Sequence, residues 1–198
     1  MTKIYFVRHA QPLHSHKDDM TRPLTAEGEA DSAIVLETLR DLPIDAFYCS
    51  PYKRSYDTIK AAAEYFGTDI HTDRRLRERE KGKNGNAYGM FEKRWADHDY
   101  HEDGGESIGM VQRRNIEALK EILDKEAGKS IVIGTHGTAL SSILNYYMPQ
   151  FGCADFLRMI DWMPYIVEMD FDGQELVGIK ELAHIEKVFT GSDRADRK

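Results

Sequence analysis

The chain has 198 residues, of which 31% are charged and 41% are hydrophobic, proportions that are typical of a soluble globular protein. Its formal net charge of −7 at pH 7 argues against binding to nucleic acid or to an anionic membrane through a general cationic surface. The mean hydropathy of −0.57, with no apolar run near ~20 residues, excludes a predicted transmembrane helix.

The first part of the chain predicts strands that alternate with helices. Lys3–Val7 is a short apolar run of the kind found in strands buried on both faces. Thr25 is the predicted N-cap of a helix that reaches about Leu42. The elements predicted next are a strand at Asp45–Ser50, a helix from Pro51 to Phe66 ended by Gly67, and a strand at Asp69–Asp73.

The second part of the chain begins with a predicted insertion at residues 82–105, which holds five glycines and little periodicity. After it come a predicted helix at Ile108–Ala127, a buried strand at Ser130–Thr135 and a helix at Gly137–Met148. Three further strands are predicted at Phe156–Asp161, Tyr165–Asp170 and Glu175–Glu181, with a hairpin turn at Asp172-Gly173. The polar segment Gly191–Lys198 is expected to be a frayed, disordered tail.

This order of elements predicts an α/β fold. We expect a three-layer sandwich with a mostly parallel central sheet, helices on both faces and an antiparallel edge strand. Residues 1–190 are expected to form one domain that carries the insertion. In such sheets a ligand binds beyond the carboxyl ends of the strands, so the residues at those ends are the first candidates for a site.

Imidazole, guanidinium and carboxyl groups follow the predicted strands. Arg8 and His9 end the first strand, and His136 follows the strand at Ser130–Thr135. A neutral imidazole is a nucleophile for phosphorus, and arginine matches phosphate oxygens in pairs. Taken singly, each of these residues is more often structural; taken together at strand ends, they favour phosphoryl chemistry.

Other patterns are less informative. His14 and His16 suggest a metal site, but no cysteine or carboxylate stands at ligand spacing, so a solvated loop is favoured and no metal is expected. Residues 82–86 lack the spacing of a P-loop. The aromatic side chains of the insertion, Tyr88, Phe91, Trp95 and Tyr100, fit a substrate lid and simple packing equally well. Neither Cys49 nor Cys153 belongs to a CxxC motif, and no signal peptide is evident, so a cytoplasmic location is expected.

Six stretches in order resemble the histidine phosphatase superfamily, which includes the cofactor-dependent phosphoglycerate mutases. Val7-Arg8-His9-Ala10 resembles the Arg-His-Gly motif of the family. The other five are Pro23-Leu24-Thr25-Ala26-Glu27-Gly28, Ser50 to Thr58 with Arg54, Leu76-Arg77-Glu78, Gly105-Glu106-Ser107 and Thr135-His136-Gly137. The resemblance runs from about Lys3 to Tyr147 and implies a phosphoglycerate mutase-like domain.

The resemblance implies a role for each matching residue. By this resemblance, His9 is expected to be the residue that is phosphorylated, and Arg8, Arg54 and His136 are expected to complete the phosphate pocket. Glu78 is the proton donor, although Glu80, two residues further on, is an alternative because both face the same side of an extended segment. Further candidate substrate contacts are Gln11, Ser15, Gly137 and Thr138.

The chain also departs from the mutase branch of the family. Ala10 replaces a glycine, and Gln11, Pro12 and Ser15 stand where the mutases carry other motif residues. These departures favour a metal-independent phosphomonoester hydrolase without a cofactor, acting on a small phosphorylated metabolite. The alternatives are mutase-type phosphoryl transfer and a phospho-ligand-binding protein with little turnover. A monomer and a homodimer both remain open.

Overall fold

A computed structural model of the chain describes residues 1–83 and 89–188. The strands are β1 (Thr2–Arg8), β2 (Ala46–Cys49), β3 (Ile70–Thr72), β4 (Ser130–Thr135), β5 (Trp162–Asp172) and β6 (Glu175–Glu186). The helices are α1 (Ala26–Asp31), α2 (Ala33–Leu39), α3 (Lys53–Phe66), α4 (Met90–Ala96), α5 (Ile108–Lys125), α6 (Gly137–Tyr147) and α7 (Cys153–Arg158). A 3-10 turn spans Arg74–Leu76. The predicted tail and the insertion's Tyr88 lie outside the described residues.

The six strands form one sheet in the order β3-β2-β4-β1-β5-β6. Strands β1 to β4 pair in parallel, whereas β5 pairs antiparallel to β1 and β6 antiparallel to β5. The predicted α/β class and mostly parallel sheet are confirmed, with two antiparallel strands where the sequence predicted at least one.

Alternate residues of the central strands bury against helices on opposite faces of the sheet. Ile4 and Phe6 of β1 belong to a core with α5 and α6, whereas Tyr5 and Val7 belong to a core with α2 and α3. This explains why the central strands read as continuous apolar runs, since neither face meets water. The helices cover both faces, as predicted.

The predicted strand at Phe156–Asp161 is wrong. The chain forms helix α7 at Cys153–Arg158 instead, followed by a turn into β5. The backbone N–H of Gly152 donates to the Asp155 carboxylate at 2.9 Å, which stabilises the first turn. Phe156 and Met159 are buried while Leu157 and Arg158 between them are exposed, so this short segment buries one helical stripe and not one face of a strand.

The predicted helix from Thr25 to Leu42 is interrupted and ends earlier. Thr25 caps it, because its hydroxyl accepts from the Gly28 N–H at 3.0 Å. The hydroxyl of Ser32 donates to the Glu29 carbonyl at 2.6 Å, and the helix divides there into α1 and α2, which ends at Leu39. Gly28, in the first turn of α1, lies directly against the backbone of Gln11.

Candidate active site

Two histidines meet at the carboxyl ends of the central strands. β1 and β4 are parallel neighbours with Arg8 beside Thr135, and the His9 N–H donates to the Thr135 carbonyl at 3.1 Å. The residues that follow the two strands, His9 and His136, therefore emerge side by side. Their ring centroids are 5.2 Å apart and the rings are inclined at 62°. The juxtaposition depends on the parallel register and not on sequence spacing.

The ring of His9 is oriented by the backbone. Its Nδ1 lies 2.8 Å from the Ala10 carbonyl oxygen, which can only accept, so Nδ1 carries the proton and Nε2 is the basic nitrogen. Burial lowers the pKa of His9 well below its ordinary value, and the positive charges of Arg54 and Arg8 lower it further. The imidazole is therefore neutral near pH 7, the form that attacks phosphorus.

His136 lies behind His9 and is fully buried. Its Nε2 lies 2.8 Å from the Ser50 hydroxyl, and its ring contacts the edge of Tyr52. Burial lowers the pKa of His136 strongly, and the nearby Arg54 lowers it further. His136 is not part of the open wall of the cavity described below. It contacts the candidate nucleophile from behind.

The two predicted phosphate-binding arginines are both buried, but they have different partners. Arg8 donates from Nη1 to the Met159 carbonyl at 2.5 Å and from Nη2 to the Ile160 carbonyl at 2.8 Å, which joins β1 to the end of α7. Arg54, in the first turn of α3, donates from Nη1 to the backbone carbonyl of Asp19 at 2.6 Å. Each guanidinium lines the cavity, and each is held in place by main-chain oxygens.

Glu78 is fixed at the N-terminus of α6. One carboxylate oxygen accepts from the Thr138 N–H at 3.0 Å and the other from the Arg79 N–H at 2.7 Å. Glu78 lines the cavity, whereas Glu80 is exposed and pairs with Arg77 at 3.3 Å. The geometry therefore favours Glu78 over the alternative proton donor.

A second ion pair holds the segment that carries Glu78. The Arg114 guanidinium donates to the backbone carbonyls of Arg75, Arg77 and Glu78, at 2.6, 2.7 and 3.1 Å. The same group binds both oxygens of Glu106, at 2.8 and 2.9 Å. Glu106 belongs to the Gly105-Glu106-Ser107 motif, so this motif acts on the site by positioning the Glu78 segment.

These residues surround a cavity of about 190 Å³. Its polar wall holds six cationic and two acidic side chains of the described residues: Arg8, Arg22, Arg54, Arg79, Lys81 and Arg94, with Asp19 and Glu78. Its apolar wall consists of Pro12, Phe91, Phe156, Ile160 and Met163. His9, His14, Gly137 and Thr138 complete the lining. The arrangement is suited to a compact anion with a small apolar part.

Two of the four residues predicted to contact the substrate lie outside the cavity lining. Gly137 and Thr138 line the cavity, but Gln11 and Ser15 do not. Ser15 is exposed, and the Gln11 carbonyl accepts from the Thr25 N–H at 3.0 Å, which closes the base of the loop at residues 11–25. Gln11 therefore shapes this loop, and neither residue gains support as a substrate contact.

Sequence reasoning missed five charged residues of the cavity: Asp19, Arg22, Arg79, Lys81 and Arg94. Arg22 immediately precedes a stretch that carries the family resemblance, and this position is the one available signal. Asp19 resembles one half of an acid pair in a polar loop, with Asp18 beside it. Lys81 and Arg94 flank or lie within the insertion, where the sequence has no periodicity that shows which side chains face inward.

The insertion packs onto the domain and also contributes to the cavity. The Phe91 ring lies 5.3 Å from Phe156, and Trp95 lies 5.9 Å from the same ring. A buried ion-pair cluster anchors α4, in which Glu102 binds Arg94 at 2.6 Å and Arg79 at 3.1 Å. Phe91 therefore packs against the core and also lines the cavity, while Trp95 packs against the core.

Within residues 1–83 and 89–188, no cluster of three or more His, Cys, Asp or Glu side chains is arranged to hold a metal ion. Among the helices of the same residues, none combines the length and apolar character needed to cross a membrane.

Comparison with known proteins places this geometry in context. A family model described as "Histidine phosphatase superfamily (branch 1)" matches residues 4–177. A relative from Enterobacter sp. (strain 638), named "Probable phosphoglycerate mutase GpmB", is 29% identical over 166 residues, covering 73% of this chain and 74% of the relative.

Solved structures show the same fold. A mutant phosphoserine phosphatase from Entamoeba histolytica, in complex with phosphoserine, matches with a TM-score of 0.73 and 18% identity over 90% of this chain and 96% of that one. A mycobacterial glucosyl-3-phosphoglycerate phosphatase matches with a TM-score of 0.69 and 17% identity, again over 90% of this chain and 96% of the other.

Proposed function

This chain belongs to the histidine phosphatase superfamily, and from that premise we propose that it hydrolyses a phosphomonoester through a phosphohistidine formed on His9. The observation that carries the proposal is the orientation of His9. Its Nδ1 proton is held by the Ala10 carbonyl, which leaves the basic Nε2 for attack beside a cavity with a cationic wall.

The first step transfers the phosphoryl group to the enzyme. Nε2 of His9 attacks phosphorus, a P–N bond forms, and the ester P–O bond breaks with its electron pair going to the leaving oxygen. Arg8 and Arg54 neutralise the charge on the phosphoryl oxygens, and His136 supports His9 from behind. Glu78 gives its proton to the leaving oxygen, so the alcohol departs neutral.

The second step restores the enzyme. A water molecule attacks the phosphohistidine and gives a proton to the Glu78 carboxylate. The P–N bond breaks, its electron pair returns to Nε2, and inorganic phosphate is released. The two backbone N–H groups that hold Glu78 keep the same carboxyl in place for both proton transfers.

The cavity also supports a proposal for the substrate class. A volume of about 190 Å³ suits a phosphate with a small organic group and not a nucleotide or a phosphoprotein segment. Lys81 adds positive charge beyond the two arginines proposed to bind phosphate, whereas Arg94 shares its charge with Glu102. A small phosphomonoester with a second anionic group, such as a carboxylate, is therefore the proposed class, and phosphoserine and the phosphoglycerates have this chemistry.

Phosphoglycerate mutase activity is the second candidate, because the curated relatives carry that name. A mutase returns the phosphoryl group to a different oxygen of the same compound, whereas a hydrolase gives it to water. The two activities share the first step and differ only in what reaches the phosphohistidine.

The test is turnover of p-nitrophenyl phosphate and a panel of small phosphomonoesters in a chelating buffer, with free phosphate and isomerised product measured separately. We expect phosphate release that His9→Asn lowers by roughly 10³-fold or more, and an acid-labile phosphate on the wild-type protein only. His71→Asn, an exposed change on β3, is the control and keeps full activity. Isomerisation without phosphate release identifies a mutase, and binding without either product identifies a binding protein.

A further inference from the structure

We propose that Asp19 is an internal competitor for the phosphate site: its carboxylate, which contacts Arg54, leaves when a phosphoryl group binds and returns to help displace the product phosphate. The inference rests on the proposed function, since it assigns Arg54 to the phosphoryl group. It makes Asp19 a determinant of how tightly the site holds phosphate.

The contacts of Asp19 use the donors that a phosphate needs. The Asp19 carboxylate lies 3.2 Å from Nη1 of Arg54 and 3.4 Å from Nη2, so it faces both terminal nitrogens of the guanidinium. The same carboxylate accepts from Nη1 of Arg22 at 2.5 Å. A carboxylate between two guanidinium groups has the arrangement in which arginine pairs bind phosphate oxygens.

The two partners differ in how firmly they are held. Arg54 lies on the 14-residue helix α3, and its side chain is 4% exposed. Asp19 lies in the loop at residues 11–25, lines the cavity, and has a side chain that is 31% exposed. An exchange of partners at Arg54 therefore requires movement of the Asp19 side chain and not of the helix.

The loop has its own attachments, which do not depend on the Asp19 carboxylate. The Lys53 N–H donates to the Met20 carbonyl at 2.9 Å, and Asp18 accepts from the Thr21 N–H at 2.9 Å. The backbone carbonyl of Asp19 itself accepts from Arg54 at 2.6 Å. These bonds persist when the carboxylate turns away, so loss of its charge leaves the loop anchored.

A carboxylate that competes with phosphate and a carboxylate that supports the arginines predict opposite changes in phosphate affinity. A phosphate that binds Arg54 must first replace a resident anion, so the carboxylate weakens phosphate binding by the free energy of the Asp19–Arg54 ion pair that has to break. If the carboxylate served only to position Arg54 and Arg22, its removal would weaken phosphate binding instead. The sign of the change in affinity distinguishes the two roles.

The experiment measures inorganic phosphate binding by calorimetry to the wild type, Asp19→Asn and Asp18→Asn, with phosphate inhibition of p-nitrophenyl phosphate turnover as a second readout. We expect Asp19→Asn to bind phosphate roughly tenfold more tightly, in keeping with the removal of one competing charged group. Asp18→Asn, a change at the adjacent exposed carboxylate, leaves the affinity within about twofold. Phosphate is expected to inhibit turnover by Asp19→Asn at roughly tenfold lower concentration than turnover by the wild type.

Two further variants keep the inference testable if Asp19→Asn folds poorly. Asp19→Ser also removes the charge and is expected to tighten phosphate binding, whereas Asp19→Glu keeps the charge and retains weak binding. Unchanged or weaker phosphate binding in both neutral variants overturns the inference. Failure of the wild type to release phosphate from any ester overturns the proposed function, and phosphate affinity measured by calorimetry does not depend on that result.

Discussion

The Ser50 hydroxyl lies 2.8 Å from Nε2 of His136, in a position where both residues are completely buried. The contact links the end of β2 to the residue that follows β4, and the ring of His136 in turn touches His9 at 5.2 Å between centroids. A residue outside the cavity therefore holds His136, the ring that lies against His9.

Replacement of Ser50 by alanine tests this link. We expect Ser50→Ala to lower kcat by about tenfold and the free energy of unfolding by about 1–3 kcal/mol, because it leaves a buried imidazole nitrogen without its partner. The matched control is Ser142→Ala, since Ser142 is equally buried but donates to the Ala139 carbonyl within α6. Equal losses of kcat in the two variants would show that only packing is affected.

The acid limb of the pH profile tests the state of His9. Burial and the neighbouring arginines lower its pKa well below 6.5, so the neutral nucleophile persists as the pH falls through 6.5. We expect kcat/KM, which reports the free enzyme, to show no loss from protonation of His9 through that value, and the His9 ring, followed by NMR, to remain neutral. A loss of activity centred near 6.5, with protonation of His9 in the same range, contradicts this prediction.

Substrates with different leaving groups test whether Glu78 or Glu80 is the proton donor. Glu78→Gln is expected to lower kcat for an alkyl phosphate by roughly 10²–10⁴-fold, because an alkoxide needs a proton. The loss is much smaller for p-nitrophenyl phosphate, whose phenolate departs unprotonated. Glu80→Gln is the control and is expected to change neither rate by more than about twofold, since Glu80 is exposed outside the cavity. The reverse pattern assigns the proton to Glu80.

The close packing of Gly28 against the loop at residues 11–25 predicts that a side chain at position 28 destabilises the protein. A β-carbon at position 28 would lie 2.3 Å from the Gln11 carbonyl oxygen, which is backbone and has little freedom to move. Gly28→Ala is therefore expected to lower the free energy of unfolding by about 3 kcal/mol or to displace the loop. Gly152→Ala, where the nearest atom would be 3.9 Å away, is the control in the same thermal or urea unfolding experiment.

The sequence by itself predicts the central strands and helices α3, α5 and α6, because the patterns that indicate these elements are local. A continuous apolar run indicates a strand buried on both faces, and an apolar stripe with a glycine stop indicates a helix. The sequence also predicts that His9 and His136 lie at one edge of the sheet, since the carboxyl ends of parallel strands lie on the same side. The family resemblance supplied the candidate roles.

Only the tertiary structure decided the remainder, where contacts between distant segments outweigh local preference. Helix α7 replaces a predicted strand because Phe156 packs against Phe91 and Trp95 of α4. Asp19 reaches Arg54 across 35 positions of the chain, and Lys81 lines the same cavity as Arg22 because of how the insertion packs. These charged side chains lie close together because the fold brings their backbones together, and no periodicity in the sequence indicates this.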